Sequence, residues 1–414
     1  MIYSDIFRMN GCNMGNLEEI YIIKRRIKAF FHSLVYYACH IFPVQKNKIV
    51  MWTFEGSGGY ACSPKYIAEE IFRRNSLHQS DFEIYWLTSN MDKKFPDGVK
   101  VVKDSLWNRA YHLSTAKFWV ANTRSFWGTV KRKGSYYIQT WHGSVSLKPI
   151  GRCRGSKLSK IAYLVSKADS DLMDYAISGS KWCTDMWPDG LIYDGRILDF
   201  GTPRCDVFLG DREACRRNMR KEYALPAYAK ICLYAPTFRG GSQSTKRSVN
   251  AEPISLQLER VLQAMEKRFG GQWYVFLRLH PQLAAKMEKL PVQEESDRYI
   301  DVSQRDDMAE IMASTDAIIT DYSTIIFEGF LTGQPGFIYA DDLEEYVRDR
   351  GKLMFEMDEI PFPAATTNDR LEENILSFDM EKYQHEVELF KHKVGIFEDG
   401  NASKRVVDLM CNLE

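Results

Sequence analysis

Three strand ends carry side chains suited to holding a diphosphate. Asp321-Tyr-Ser-Thr324 separates the apolar run 317–320 from a helical stretch at 323–331. The order of strand, polar turn and helix start places unpaired N–H groups and a partial positive charge where an anion can sit. Ser323 is expected to cap a helix that begins at Thr324. Tyr234-Ala-Pro-Thr-Phe-Arg239 has a strand, a proline stop, and then Thr237 and Arg239 in the following loop. Arg278-Leu-His-Pro281 ends another strand, with Arg278 and His280 two apart and so on one side of an extended chain. Each feature alone also fits a structural role, such as a helix cap or an arginine paired with a carboxylate. Their convergence at the carboxyl ends of one sheet argues for a site.

A second kind of chemistry comes from Thr140-Trp-His-Gly-Ser144, which follows an apolar strand. A neutral imidazole at His142 can take a proton from an attacking hydroxyl, and Gly143 permits close approach to the backbone. A structural histidine bonded to a carbonyl is the competing reading.

The elements that position these residues alternate strand and helix. Strands are expected at 48–54, 82–88, 117–121, 136–140, 175–178 and 196–200, with helices at 64–74 and 105–115. After a charged stretch at 209–228, a second series begins: strands near 230–235, 272–278, 299–302, 316–320 and 336–340, with helices at 254–269, 306–314 and 323–331. Parallel strands with helical crossovers imply an α/β fold of two doubly wound Rossmann-type domains facing a cleft. The boundaries expected are 1–45 for an N-terminal segment, 46–205 for an acceptor-side domain, 206–368 for a donor domain, and 369–414 for C-terminal helices that cross back to the first domain. The Gly/Ser-rich run 240–248 reads as a lid. Gly56-Ser-Gly-Gly59 is a tight βα turn that matches neither Gly-x-Gly-x-x-Gly nor the P-loop pattern.

Lys+Arg and Asp+Glu both number 55 in 414 residues, so composition gives no case for a nucleic-acid partner. The nine cysteines contain no Cys-x-x-Cys pair, which argues for a reducing compartment and against structural zinc. No nucleophile elbow or His-Glu-x-x-His helix occurs. Between residues 17 and 44, Lys24, Arg25, Arg26 and Lys28 precede an apolar, aromatic run shorter than the ~20 residues that span a bilayer. We read an interfacial helix on an anionic membrane surface, against the alternative of a terminal helix packed on its own protein.

The order of motifs resembles the CDP-glycerol glycerophosphotransferase family, the polyol-phosphate polymerases and primases of teichoic-acid synthesis. Trp141-His-Gly143, Gly201-Thr-Pro-Arg204-Cys-Asp206, Tyr234-to-Arg239, Arg278-to-Pro281, Asp321-to-Thr324, Arg350-Gly351 and Phe397-Glu-Asp-Gly-Asn-Ala-Ser403 carry it, over about residues 48–410. The resemblance implies a GT-B fold, a CDP-glycerol or CDP-polyol donor, CMP as leaving group, and a lipid-linked glycan acceptor. It implies a cytoplasmic protein attached peripherally to the inner face of the plasma membrane. His142 would be the catalytic base and His280 would contact the donor diphosphate. Thr237, Arg239, Arg278, Ser323 and Thr324 would bind the donor, supported by Trp141, Gly143, Arg204 and Asp321. No metal site or resident cofactor is expected, and Mg²⁺ riding on the nucleotide is the one metal compatible with the sequence. A nucleotide-sugar glycosyltransferase or epimerase on the same plan, and a non-enzymatic glycan-binding module, are the rival readings.

Overall fold

The computed structural model describes residues 3–237, 254–279, 292 and 296–413. Arg239, His280 and the run 240–248 lie outside the described residues. Two parallel sheets form the frame. The first holds β1 (Gln45–Trp52), β2 (Glu83–Thr88), β3 (Val99–Lys103), β4 (Ala116–Ala121), β5 (Tyr136–Gln139), β6 (Tyr175–Ile177) and β7 (Arg196–Leu198), in the order β3-β2-β1-β4-β5-β6-β7. The second holds β8 (Lys230–Ala235), β9 (Trp273–Leu277), β10 (Tyr299–Asp301), β11 (Ala317–Thr320), β12 (Gly336–Tyr339) and β13 (Ala364–Ala365), in the order β10-β9-β8-β11-β12-β13. Both orders reverse direction once, between β1 and β4 and between β8 and β11. In open α/β sheets, ligands bind beyond the carboxyl ends of strands at such switch points.

The strands hold because they are apolar on both faces. In β1, Ile49 and Met51 join one core with Ile84, Trp86 and Phe118, whereas Val50 and Trp52 join another with Leu87, Trp119 and Tyr137. This is the pattern of a parallel strand covered by helices on both sides. The strand β3 went unread in the sequence because Val99-Lys-Val-Val-Lys103 lies at the sheet edge and is only partly buried. The two-residue β13 is too short for any pattern.

Helix α1 (Tyr3–Cys39) packs on the first domain through a narrow stripe. Ile22, Ala29, Tyr36 and Cys39 are buried, and the Tyr36 hydroxyl lies 3.3 Å from Thr129 Oγ1. Around that stripe Ile23, Ile27, Phe30, Phe31, Leu34 and Tyr37 are exposed. The helix therefore docks on its own protein, as the second of the two readings expects, and leaves an apolar, aromatic face uncovered. Among the described residues, no helix is long and apolar enough to cross a membrane.

The last three helices divide between the sheets. Those at Asn368–Leu376 and Met380–Val394 bury Leu371, Ile375, Tyr383, Val387 and Phe390 in the core of the second sheet. The chain then crosses over, and Ala402–Asn412 buries Val406, Val407 and Met410 against the helix α2 (Cys62–Ser76) residues Ile67 and Ile71 in the core of the first. Glu398 anchors the crossing segment. Its carboxyl accepts from Ser144 Oγ at 2.6 Å and from the Thr202 backbone N–H at 2.8 Å.

Burial pushes the Glu398 carboxyl up to about 8, although Ser144 and Thr202 work in the other direction. Between its unfolded value near 4.5 and about 8, the folded state holds a proton that the unfolded state lacks. The stability from that proton is complete below 4.5 and is lost as pH rises through 8. The wild-type Tm should therefore fall between pH 6 and 9 by several degrees more than that of Glu398→Gln. Parallel Tm curves would show that Glu398 is already ionised at pH 6.

Candidate functional site

The switch-point ends of both sheets face each other. In the second sheet, Thr320 pairs with Ala235, so the turns after β11 and β8 emerge side by side. Asp321 is buried and accepts from the Thr237 backbone N–H at 2.9 Å, the Thr237 hydroxyl at 3.0 Å and the Tyr322 backbone N–H at 2.6 Å. The carboxylate ties the two turns together. Tyr322 extends the tie: its hydroxyl lies 2.9 Å from Asp342 Oδ1, and its ring stacks on Tyr346 at 3.8 Å.

The helix after this turn starts one residue later than expected, at Ile325, and runs only to Gly329. Thr324 takes the cap position in helical geometry with no side-chain cap bond, so Ser323 is not a cap. Among the described residues, neither the Ser323 nor the Thr324 hydroxyl makes a hydrogen bond. Both are therefore available to a ligand, which a capping hydroxyl is not.

Arg278 is turned to a different task. One of its guanidinium nitrogens donates to the carbonyls of Val302 at 2.8 Å and Ser303 at 2.7 Å and also to that of Arg305. It braces the loop that leads to Asp306 and Asp307. Burial lowers its basicity, offset by Asp306, Asp307 and Asp301.

In the first sheet, the ends of β1, β4 and β5 are adjacent, through the pairs Trp52–Ala121 and Ala121–Gln139. Trp141 has φ +49, a left-handed conformation that a bulky residue rarely adopts outside functional turns. Its ring stacks on His142 at 4.5 Å between centroids. His142 Nδ1 lies 2.8 Å from the Asn122 carbonyl, so it carries the hydrogen and Nε2 keeps its lone pair. Burial lowers the imidazole to about 4; the Asn122 bond opposes this, and Arg204, Arg124 and Lys148 add to it. At neutral pH His142 is an uncharged acceptor among cations.

The two halves touch at Gly143. A Cβ there would lie 3.3 Å from the Thr324 side chain, so the space that glycine leaves is filled by the turn after β11 in the other domain. Arg204 fixes the approach. It donates to Glu328 Oε1 from Nε at 3.0 Å and from Nη2 at 2.6 Å, and Nη2 also donates to the His142 carbonyl at 2.8 Å. Both side chains are buried. Burial alone would weaken the guanidinium, but the Glu328 carboxylate holds its charge well above the ordinary value. A second clamp lies on the far side of the Gly-rich turn. Lys65 Nζ pairs with Asp307 at 2.9 Å, and the Tyr66 hydroxyl and Cys62 N–H donate to the same carboxylate. At Gly59 a Cβ would overlap Asp306, so that glycine is needed for the domain contact.

Sequence reading singled out His142, Thr237, Ser323, Thr324 and Asp321, which the fold brings together. It missed Glu328, Glu398, Lys65 and Asp307, whose partners lie more than 100 residues away. Among the described residues, no group of three or more His, Cys, Asp or Glu side chains is placed to hold a metal.

Known proteins resemble this chain in sequence and fold. The family described as CDP-glycerol:poly(glycerophosphate) glycerophosphotransferase matches residues 34–412. A teichoic acid poly(glycerol phosphate) polymerase of Staphylococcus epidermidis is 29% identical over 88% of this chain, which spans 50% of that protein's length. A teichoic acid ribitol-phosphate primase of Bacillus spizizenii is 28% identical over 94% of this chain and 97% of its own. The solved structure of a variant of the wall teichoic acid polymerase TagF, from a crystal soaked with CDPG, superposes with a TM-score of 0.77 at 26% identity, covering 97% of this chain and 98% of that one. The fold is GT-B-like, and the chain belongs to the CDP-glycerol:poly(glycerophosphate) glycerophosphotransferase family.

Proposed function

We propose that the protein transfers glycerol phosphate, or a related polyol phosphate, from CDP-glycerol to a hydroxyl of a membrane-linked, teichoic-acid-like acceptor and releases CMP. The observation that carries this reading is the contact of Gly143 with Thr324, which sets a neutral histidine base beside two unengaged hydroxyls across one cleft. His142 Nε2 takes the proton of the acceptor hydroxyl. The hydroxyl oxygen bonds to the glycerol-bearing phosphorus, and the bond from that phosphorus to the bridging oxygen breaks, with its electron pair leaving on CMP. Ser323 and Thr324 meet the diphosphate as donors, on a turn that the Asp321 carboxylate ties to Thr237. By family resemblance, Arg239 and His280 complete the donor side. Arg278 serves it through the loop it braces. No resident cofactor is needed for this step, and Mg²⁺ arriving with the nucleotide is compatible with it.

The uncovered face of α1 suits peripheral attachment. Phe30, Phe31 and Tyr37 are exposed, as are Lys24, Arg26 and Lys28, a combination that favours an anionic headgroup layer. This face supports the reading of peripheral attachment; the cytoplasmic side of the plasma membrane is what the family resemblance implies.

His142→Ala should lower CMP release by about 10²- to 10⁴-fold. CDP-glycerol binding measured by calorimetry should stay within a few-fold, and normal turnover by the folded variant would remove His142 from the step. In the free protein, NMR titration of His142 should give a midpoint near 4, moving upward when the anionic donor binds. On vesicles containing anionic lipid, replacing Phe30 and Phe31 by Ser should weaken sedimentation at least about 10-fold, given ~1.5–3 kcal/mol per buried ring. Equal sedimentation of variant and wild type would detach α1 from the membrane role.

A further inference from the structure

The turn after β1 holds two successive residues in the left-handed region, Phe54 at φ +46 and Glu55 at φ +58. Neither is glycine, and such residues are strained unless their surroundings impose the conformation. Two hydrogen bonds impose it here. The Phe54 N–H donates to Asn122 Oδ1 at 2.9 Å, and the Glu55 N–H donates to Thr123 Oγ1 at 2.7 Å. The turn is also closed from below: a Cβ on Gly56 would lie 2.2 Å from Asp104 Oδ2, and that carboxylate is buried in a two-pronged pair with Arg109, through Nε at 2.8 Å and Nη2 at 2.5 Å.

Asn122 serves the base as well. Its carbonyl lies against His142 Nδ1, so one residue sets both the imidazole and the turn. Its amide Nδ2 is buried with no hydrogen-bond partner among the described residues, which is unfavourable for a side chain kept for packing alone. The outcome is that the Phe54 ring stands beside the imidazole, 6.2 Å between centroids, on the ring that Trp141 stacks at 4.5 Å. Phe54 is 39% exposed, and Glu55 is exposed next to it.

The Glu55 carboxylate makes no hydrogen bond or ion pair among the described residues. Burial lowers the basicity of nearby Arg124, and Asp169 and Glu55 oppose this at longer range. Asp321 spends its oxygens on Thr237 and Tyr322, whereas Glu55 keeps both of its own available. An available carboxylate repels a diphosphate and accepts hydrogen bonds from hydroxyls. Beside a base that receives an acceptor hydroxyl, it suits a polyhydroxylated acceptor and not the donor phosphates.

We propose that Phe54 and Glu55 recognise the terminal polyol of the acceptor. The Glu55 carboxylate accepts a hydrogen bond from the hydroxyl next to the attacking one, and the Phe54 ring packs on the carbon chain that carries both. This rests on the polyol-phosphate transfer reading and names the group it takes, a terminus with vicinal hydroxyls. Because Asn122 and Thr123 hold the turn, both contacts are in position before the acceptor arrives.

The test uses the full chain, CDP-glycerol and two lipid-linked acceptors. One ends in glycerol phosphate; the other ends in 3-hydroxypropyl phosphate, which keeps the primary hydroxyl and lacks its neighbour. With wild type, kcat/KM should favour the glycerol end by about 10- to 100-fold, the range of one hydrogen bond to a charged group. Glu55→Gln should reduce that preference and Glu55→Ala should bring it close to one, each variant checked for folding by circular dichroism, while the KM for CDP-glycerol stays within about two-fold. Phe54→Ala should raise the KM of both acceptors about 10-fold and leave their ratio unchanged. Equal use of the two acceptors by wild type, or a full preference in Glu55→Ala, would overturn the proposal. A raised KM for CDP-glycerol with the preference intact would assign Glu55 to the donor and overturn it too. An unchanged acceptor KM in Phe54→Ala would overturn the part given to the ring. Absence of CMP release with both acceptors would overturn the transfer reading itself, and this recognition with it.

Discussion

The buried Arg204–Glu328 pair is the contact on which the site depends. Arg204 belongs to the first half of the chain and Glu328 to the short helix after the donor turn, yet one guanidinium holds both that carboxylate and the His142 carbonyl. Removing either partner would leave a buried charge uncompensated, typically a loss of ~3–5 kcal/mol. The pair does more than stabilise, because it sets how closely the loop carrying His142 approaches Thr324. Glu398 holds the same loop from behind through Ser144, and Lys65 with Asp307 closes the other side of the cleft. The cleft is thus framed by buried polar contacts spanning both domains, each made between residues distant in sequence.

Electrostatics divides the cleft into two tasks. Around His142 the cations Arg204, Arg124 and Lys148 combine with burial to keep the imidazole neutral, so it can accept a proton. A base near 4 is a poor match for neutral pH until something anionic arrives. The diphosphate itself is suited to supply that charge, so occupancy of the donor turn would tune the base across the cleft. Asp321, at first sight misplaced beside an anion site, spends its oxygens on Thr237 and Tyr322 and orders the turn.

Much of the frame was legible because parallel strands buried on both faces leave continuous apolar runs, as at 230–235 and 317–320. Partial burial hid β3, and brevity hid β13. The helices Lys160–Ser170 and Lys181–Gly190 also escaped, the latter with Pro188 inside it. In the site, His142 and Asp321 were legible because Asp321 directly follows β11 and His142 stands three residues after the end of β5. Glu328 was not, since a glutamate in an otherwise apolar helix shows no partner until Arg204, 124 residues earlier in the chain, is placed beside it. Gly143 was read as letting a substrate approach the backbone; the group beside it in the fold is Thr324, a contact between domains that spacing along the chain cannot encode.

The most direct test of this account is the turnover of Glu328→Gln with CDP-glycerol and acceptor, set against donor affinity measured on the same folded sample. If the pair sets the distance between base and donor, kcat should fall by about 10²-fold, the cost of a ~1 Å misplacement, while the dissociation constant of CDP-glycerol changes by no more than a few-fold. Wild-type kcat in a folded Glu328→Gln protein would contradict it.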